Sequence, residues 1–180
     1  MHKVLDFIKK NKQFSFFLLL VILLALITIF APVIAPQDPY ASDLKNALQP
    51  PSSAHWFGTD KLGRDIFSRV IYASRSSLPA TLILVVLIFA IGTLLGTLAG
   101  YFGGWIDAVI MRISDMMISF PGMVLAIAVA GIMGASVKNA VIAVAVVSWP
   151  KYARLARSLV MKIRHEDYIY AAIVTGSKTS

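Results

Sequence analysis

Half of this 180-residue chain carries no formal charge: residues 13–37, 76–106, 116–137 and 139–150 contain no Asp, Glu, Lys or Arg. Such runs constrain the fold more than any motif does. A helix crossing a hydrocarbon layer about 30 Å thick needs roughly 20 consecutive apolar residues, and soluble domains have no use for charge-free runs of that length. Charged residues make up only 14% of the chain, against about 25% in soluble domains. The apolar content excludes intrinsic disorder. Cysteine is absent, which removes disulfides, thiolate metal sites and Cys nucleophiles. The net charge of +8 is the Lys and Arg excess that a membrane protein keeps on one side of the bilayer, and does not call for nucleic acid.

The chain therefore reads as an all-α membrane protein with four spans. The first is residues 14–35, after a basic tail at 1–13 that holds Lys3, Lys9, Lys10 and Lys12. A signal peptide ending at Ala-Pro-Val-Ile-Ala is the competing reading. The apolar core Phe14–Ala31 exceeds the usual 7–15 residues, and cleavage would leave Pro36 at the new terminus. The second span is 78–100, with Pro79 in its first turn, where a missing N–H is tolerated. Gly92, Gly96 and Gly100 recur at i, i+4 and i+8 along it, a bare stripe suited to close packing against another helix. The third span is about 119–134. The fourth, 137–156, has a charge-free centre of only 12 residues, so Lys138 and Lys151 must snorkel, or 139–150 is a buried or re-entrant segment.

Both ends of the chain are denser in Lys and Arg than the 36–77 loop: 4 in the first 13 residues and 6 in the last 30, against 5 in 42. Both ends are placed in the cytoplasm, which requires an even number of spans, puts the loop outside and puts the turn around Tyr101–Asp115 inside. Residues 36–60, rich in Pro, Ser and Asp, read as irregular loop. At 100° per residue, Leu62, Ile66, Phe67, Val70, Ile71 and Ala73 fall on one side. Lys61, Arg64, Asp65, Ser68, Arg69, Tyr72 and Arg75 fall on the other, which predicts a separate amphipathic helix over 61–75 on the outer membrane surface or against the bundle. Beyond the fourth span, Asp167 is placed to cap a short helix, Tyr168–Thr175, and Gly176 to end it in the left-handed conformation. Its small residues Ala171 and Ala172 suit a docking element on the cytoplasmic side.

Catalytic chemistry is missing. Gly176-Ser177-Lys178-Thr179 lacks the Gly–Lys adjacency of a phosphate-binding loop. His2, His55 and His165 are scattered, so no metal site or catalytic triad follows, and no cofactor is expected. Asp107 and Asp115 bracket Arg112 in a turn, where interfacial salt bridging is the simple reading. No charge lies inside the first three spans, which argues against a proton relay.

Several segments resemble one family. Phe57-Gly58-Thr59-Asp60-Lys61-Leu62-Gly63-Arg64-Asp65-Ile66-Phe67-Ser68-Arg69 is similar to the GTD-x-x-GRD-x-x-SR segment of the integral membrane permeases of dipeptide, oligopeptide and nickel ABC importers. Ala99–Asp107, the run from Met111-Arg112 to Phe120-Pro121-Gly122, and Trp149-Pro150-Lys151-Tyr152-Ala153-Arg154 resemble the same family. The likeness covers about 55–180 and is strongest to the C-type subunit, whose partner is a related B-type permease. It implies the N-terminal four transmembrane helices of a six-helix type I permease fold, 78–180 being a partial permease domain. The family's EAA-x-x-x-G signature falls on Tyr170–Gly176; Ala171, Ala172 and Gly176 match, and Tyr170 stands where the family has Glu. By resemblance, Asp167, Tyr170, Ala171, Ala172 and Gly176, in a coupling segment 165–180, meet the ATPase subunit.

The implied function is a permease subunit without its own ATPase site, in a bacterial or archaeal inner membrane, with its N-terminus cytoplasmic. It would form part of the translocation pathway for peptides, nickel or another small solute. The implied partners are a second homologous permease, two ATP-binding subunits, an external substrate-binding protein and membrane lipid. Family members continue for about a hundred residues with two more spans, so a fragment, a truncated gene product or an incomplete gene is expected. The alternatives are a small membrane scaffold complete at 180 residues, or an intramembrane enzyme. The latter is opposed because Ser119, Ser148 and Thr93 have no acid or base partners nearby in sequence.

Overall fold

The computed structural model describes residues 11–176, and at 170–173 the backbone course alone. Lys3, Lys9 and Lys10 of the basic tail, and residues 177–180 of the coupling segment, lie outside the described residues. Among the described residues the regular structure is helical, with one isolated bridge between Thr59 and Asp65. Two compact units divide after Pro79.

The first unit opens with α1, Lys12–Ile29, which is apolar on all sides and buries none of its residues. This is the surface a helix needs when its solvent is hydrocarbon. A single helix over 14–35 is not what forms. The chain breaks at Phe30 (φ −89°, ψ 8°) and resumes as a four-residue helix, α2, Ala31–Ile34, with Pro32 in its opening turn. Deeper inside a helix Pro32 would remove a backbone bond and press its ring on the preceding turn; at a new start it does neither.

The stretch between α2 and the next long helix is irregular, as expected, apart from a three-residue 3-10 turn at Leu44–Asn46. It folds on itself, and the residues of the GTD-x-x-GRD-x-x-SR segment hold it. Gly58 and Gly63 have φ of +74° and +72°. A Cβ on Gly58 would lie 2.4 Å from the Gln49 carbonyl oxygen, and one on Gly63 only 1.7 Å from that of Asp43. The Thr59 hydroxyl donates to the Asn46 carbonyl and accepts from the Gln49 N–H at 2.8 Å. Asp60 accepts from the backbone N–H groups of Leu62 and Arg64 and from Arg64 Nε at 2.8 Å, with Arg69 Nε at 3.6 Å. The Arg64 guanidinium holds the Asp60 carboxyl down at about 2, against an ordinary 3.8. Asp65 accepts from the Ser68 N–H at 2.7 Å, and its other oxygen lies 3.0 Å from His55 Nδ1. Burial pushes the Asp65 carboxyl up, but the hydrogen bonds from Ser68 and His55 outweigh it and leave it below its ordinary value. Ser68, fully buried, accepts from the Gln37 N–H, and Arg69 Nη1 donates to the Pro39 carbonyl. Trp56 and Phe57 close the apolar side by stacking on Phe67, with ring centroids 4.8 and 5.2 Å apart.

The separate amphipathic helix over 61–75 is also corrected. Residues 61–65 belong to the clasp, and the helix starts at Ile66 and runs unbroken to Phe102 as α3. Pro79 therefore sits inside a helix and not in a first turn. It removes one backbone bond, to the carbonyl four residues back, and the bonds on either side carry the helix through.

In the second unit the turn expected around 101–115 shrinks to Gly103. Gly103 and Gly104 both adopt left-handed φ, +64° and +55°, which reverses the chain without further residues. Helix α4, Gly104–Ser119, follows at once and bends by 94° at Phe120-Pro121 into α5, Gly122–Met133. The expected span 119–134 is thus α5 alone, 12 residues, or about 18 Å. Then comes α6, Val137–Arg164, with Ser136 accepting from the Lys138 N–H at its start and Pro150 buried in its interior. Asn139 Nδ2 ties the α5–α6 turn by donating to the Met133 and Gly134 carbonyls at 2.6 and 3.0 Å. Last is α7, Asp167–Val174.

By length and composition, α1 and α3 can each cross a membrane, and the bent pair α4–α5 makes a third if it is one span. That falls short of the four expected, because α6 is not apolar enough: its charge-free centre is 12 residues. Packing in this unit suits lipid. Its most buried positions are small, Ala99, Ala143, Ala145 and Ala153, all within 3% of full burial, while Leu82, Phe89, Ile127 and Ile132 are exposed. Helices that gain nothing by hiding leucine from hydrocarbon associate through small residues.

Two outcomes follow for the clasp. Gly63→Ala meets both a left-handed backbone and the Asp43 carbonyl, so cleavage by trypsin after Lys61 or Arg64 should quicken several-fold; an unchanged digestion rate would contradict the geometry. Asp60 has a depressed folded pKa, so its contribution is present above pH 3.8 and is lost as pH falls toward 2. Cleavage beside the clasp's Trp56 and Phe57 by an acid-active protease should quicken over that window in the native chain, and trypsin cleavage after Lys61 should already be quickened at neutral pH in Asp60→Asn.

Candidate functional site

The glycine stripe of α3 lies directly on the backbone of α6. A Cβ on Gly92 would stand 2.5 Å from Tyr152 Cβ and 2.9 Å from the Trp149 carbonyl oxygen. On Gly96 it would stand 2.2 Å from the Ala153 carbonyl oxygen, and on Gly100 2.9 Å from that of Arg157. None of these positions has room for an alanine, because the obstructing atoms are mainly backbone. By contrast, a Cβ on Gly131 in α5 would touch nothing within 4 Å. The contacts advance together along both chains, 92 to 149–153, 96 to 153–156, 100 to 157–160, so α3 and α6 run parallel along this seam.

The Trp149-Pro150-Lys151-Tyr152-Ala153-Arg154 segment is the middle of that seam. Trp149, Pro150 and Ala153 are buried, and Ala153 is fully so. Arg154 turns to α4 and pairs with Asp115; one turn on, Arg157 binds Asp107 through both carboxylate oxygens. These partners differ from the expected grouping around Arg112: the two aspartates reach across to α6. The Arg154–Asp115 pair is well exposed and contributes little, on the order of 0.2–1 kcal/mol at most. The Arg157–Asp107 pair is more enclosed and bidentate, and fixes orientation as well as distance. At the end of α6, Arg164 Nη1 donates to the Tyr101 carbonyl at 2.5 Å and lies 3.3 Å from that of Gly100, satisfying orphan carbonyls at the C-terminus of α3 with a cation. Its guanidinium also lies 5.9 Å from the Tyr101 ring centroid.

The seam is therefore joined to α7 through two residues, His165 and Glu166. Of the residues expected to couple, Asp167 is the first residue of α7, not its cap, and the Ile169 N–H bonds to the Glu166 carbonyl. Tyr170, Ala171 and Ala172 fall within α7, but their side chains lie outside the described residues. Gly176 has φ +88°, the left-handed conformation anticipated for the helix end. On its other side α6 meets α5 across an apolar groove of about 420 Å³, lined by Met123, Ile127, Ala130, Val144 and Val147, with Lys151 at one end. The ion pairs and the Arg164 cap have no sequence signal beyond the spacing of Arg154, Arg157 and Arg164 by three and seven residues, which puts them on one face of a helix beyond the apolar run.

Residues 92–180 match the binding-protein-dependent transport system inner membrane components, and residues 2–51 match the N-terminal transmembrane domain of oligopeptide transport permease C. A dipeptide transport system permease of Alkalihalophilus pseudofirmus is 45% identical over 171 residues, 95% of this chain and 56% of the relative. A glutathione transport system permease of Pectobacterium atrosepticum is 46% identical over 160 residues, 88% of this chain and 53% of the relative. A nickel transport system permease of Escherichia coli is 39% identical over 160 residues, 89% of this chain and 58% of the relative. The chain thus spans a little over half the length of these relatives.

The seam makes a direct prediction. Gly96→Val should lower the thermal midpoint of the detergent-solubilised protein, with an overpacking cost of about 1–3 kcal/mol. Gly131→Ala, in open space, should leave it unchanged. Equal midpoints for the two variants would contradict the seam.

Proposed function

Given that the chain belongs to the C-type permease subunits of binding-protein-dependent ABC importers, we propose that it forms part of the translocation pathway of such an importer and converts motion at α7 into motion of α3, α4 and α6. The observation that carries this reading is the two-residue link between α7 and α6, a helix itself held to α3 by backbone contact and to α4 by ion pairs. A displacement imposed on α7 has no slack to be lost in. In this reading α7 with Gly176 docks on an ATP-binding subunit, and Asp167, Tyr170, Ala171 and Ala172 belong to the docking surface. A second, homologous permease, a second ATP-binding subunit and an external substrate-binding protein complete the assembly. The chain hydrolyses nothing itself.

The same seam supports a finer reading of topology. Because α3 and α6 run parallel, the chain between them has to return, and α4 and α5 follow α6 back from Arg157 past Val147 to Asn139. The bent pair is then one broken span, α6 a fourth crossing with its charges near the ends, and the chain carries four of six permease helices. Lys and Arg density supports a topology with the N-terminus and α7 in the cytoplasm and the clasp outside.

Short peptides are the substrate class favoured here, because two of the three relatives are named for dipeptide and glutathione; nickel is the second reading. The relatives' permease names do not favour a scaffold. Gly176→Val in the full-length permease, assembled with its partners, should abolish uptake of labelled dipeptide while membrane insertion is retained. A left-handed residue disfavours a β-branched side chain by about 1–2 kcal/mol or more. Unchanged uptake would refute the coupling role.

A further inference from the structure

A second site lies in the first unit, away from the seam. Pro39, Tyr40, Arg69, Tyr72, Arg75 and Ser76 surround an open cavity of about 540 Å³. Its basic side chains are held in place. Arg69 is tied to the Pro39 carbonyl at 3.2 Å. Tyr40 stacks edge-on against Tyr72 with centroids 6.2 Å apart, and the Arg75 guanidinium lies 5.6 Å from the Tyr72 ring centroid.

The charge around this cavity is unbalanced. No carboxylate lines it. Asp60 is already shared between Arg64 and Arg69, and Asp38, which accepts from the Tyr40 N–H at 2.9 Å, does not line the cavity. Among the described residues Arg75 has no carboxylate within ion-pairing distance, and its neighbour in the structure is an aromatic face. A guanidinium so placed is weakly hydrated and keeps its fork of donors for an oxyanion.

Position selects which oxyanion. Arg75 is the last charge on α3 before the charge-free run 76–106, so the cavity lies where the helix passes from polar to apolar surroundings. Tyr40 and Tyr72 are the amphipathic rings that settle at a bilayer interface. We propose that this cavity binds the phosphodiester headgroup of an anionic phospholipid, with Arg75 on the phosphate oxygens, Arg69 supplying a second positive charge and the tyrosines holding the headgroup region. This anchors the polar start of α3, and with it the clasp, at the membrane surface. The inference rests on α3 entering the bilayer and not on transport, so it survives or fails independently of the coupling reading.

Native mass spectrometry tests it on the full chain released from micelles doped with phosphatidylglycerol or with phosphatidylcholine. The native protein should retain phosphatidylglycerol in preference. Arg75→Gln, which leaves the Asp60–Arg64 clasp intact, should reduce that retention about fivefold, the effect of one interfacial cation; Arg75→Lys should keep most of it. Equal retention by Arg75→Gln and the native chain would overturn the proposal. So would loss in Arg75→Lys as great as in Arg75→Gln, or displacement of the lipid by inorganic phosphate at equal concentration, which would mark a site for free anions.

Discussion

Backbone contact between α3 and α6 at Gly92, Gly96 and Gly100 is the interaction on which the second unit depends. Lipid tails offer no hydrophobic drive for one apolar helix to leave hydrocarbon for another, so association has to come from dispersion at very short range and from polar contacts. Three glycines one turn apart provide the first. The Arg157–Asp107 pair and the Arg164 cap on the Tyr101 carbonyl provide the second, both placed beyond the apolar stretch. Once the seam fixes α3 and α6 parallel, the return path of α4 and α5 follows, and the position of α7 follows from its two-residue link.

The first unit solves a different problem by different means. Its clasp has no large apolar core: Thr59, Asp60, Asp65 and Ser68 hold it through side-chain hydrogen bonds to backbone and to one another. Two left-handed glycines let those partners meet. The clasp ends where α3 begins, because the Asp65 carboxylate that accepts from the Ser68 N–H satisfies one of the free donors of the helix start.

Features with a local period were legible from residues alone. The charge-free runs marked the apolar helices, the i, i+4, i+8 glycines marked a close-packing face, and Gly176 marked a helix end. Features whose partners are distant were not. The long-range bonds of the clasp join residues 10 to 31 apart in sequence, such as Thr59 with Gln49, Asp65 with His55 and Ser68 with Gln37, and no period records them. The boundary drawn before residue 78 followed a change of composition and Pro79, yet α3 continues because one missing N–H does not end a helix braced on both sides. Helix α4 reads as a turn in the sequence because Asp107, Arg112 and Asp115 interrupt its apolar residues, and two of those charges pair with α6. The resemblance to importer permeases supplied the family, and two of the motif segments that carried it prove to lie in the clasp and the seam.

The central claim is that α3 and α6 move as one body when α7 is displaced. Spin labels at Thr97 on α3 and Leu159 on α6, both exposed beside the seam, report it through pulsed dipolar distance measurements on the full-length permease in its assembled complex, with and without ATP. A rigid seam gives the same distance distribution in both states. A separation that shifts by more than about 2 Å between them, beyond the small helix adjustments ordinary in switching proteins, would contradict it.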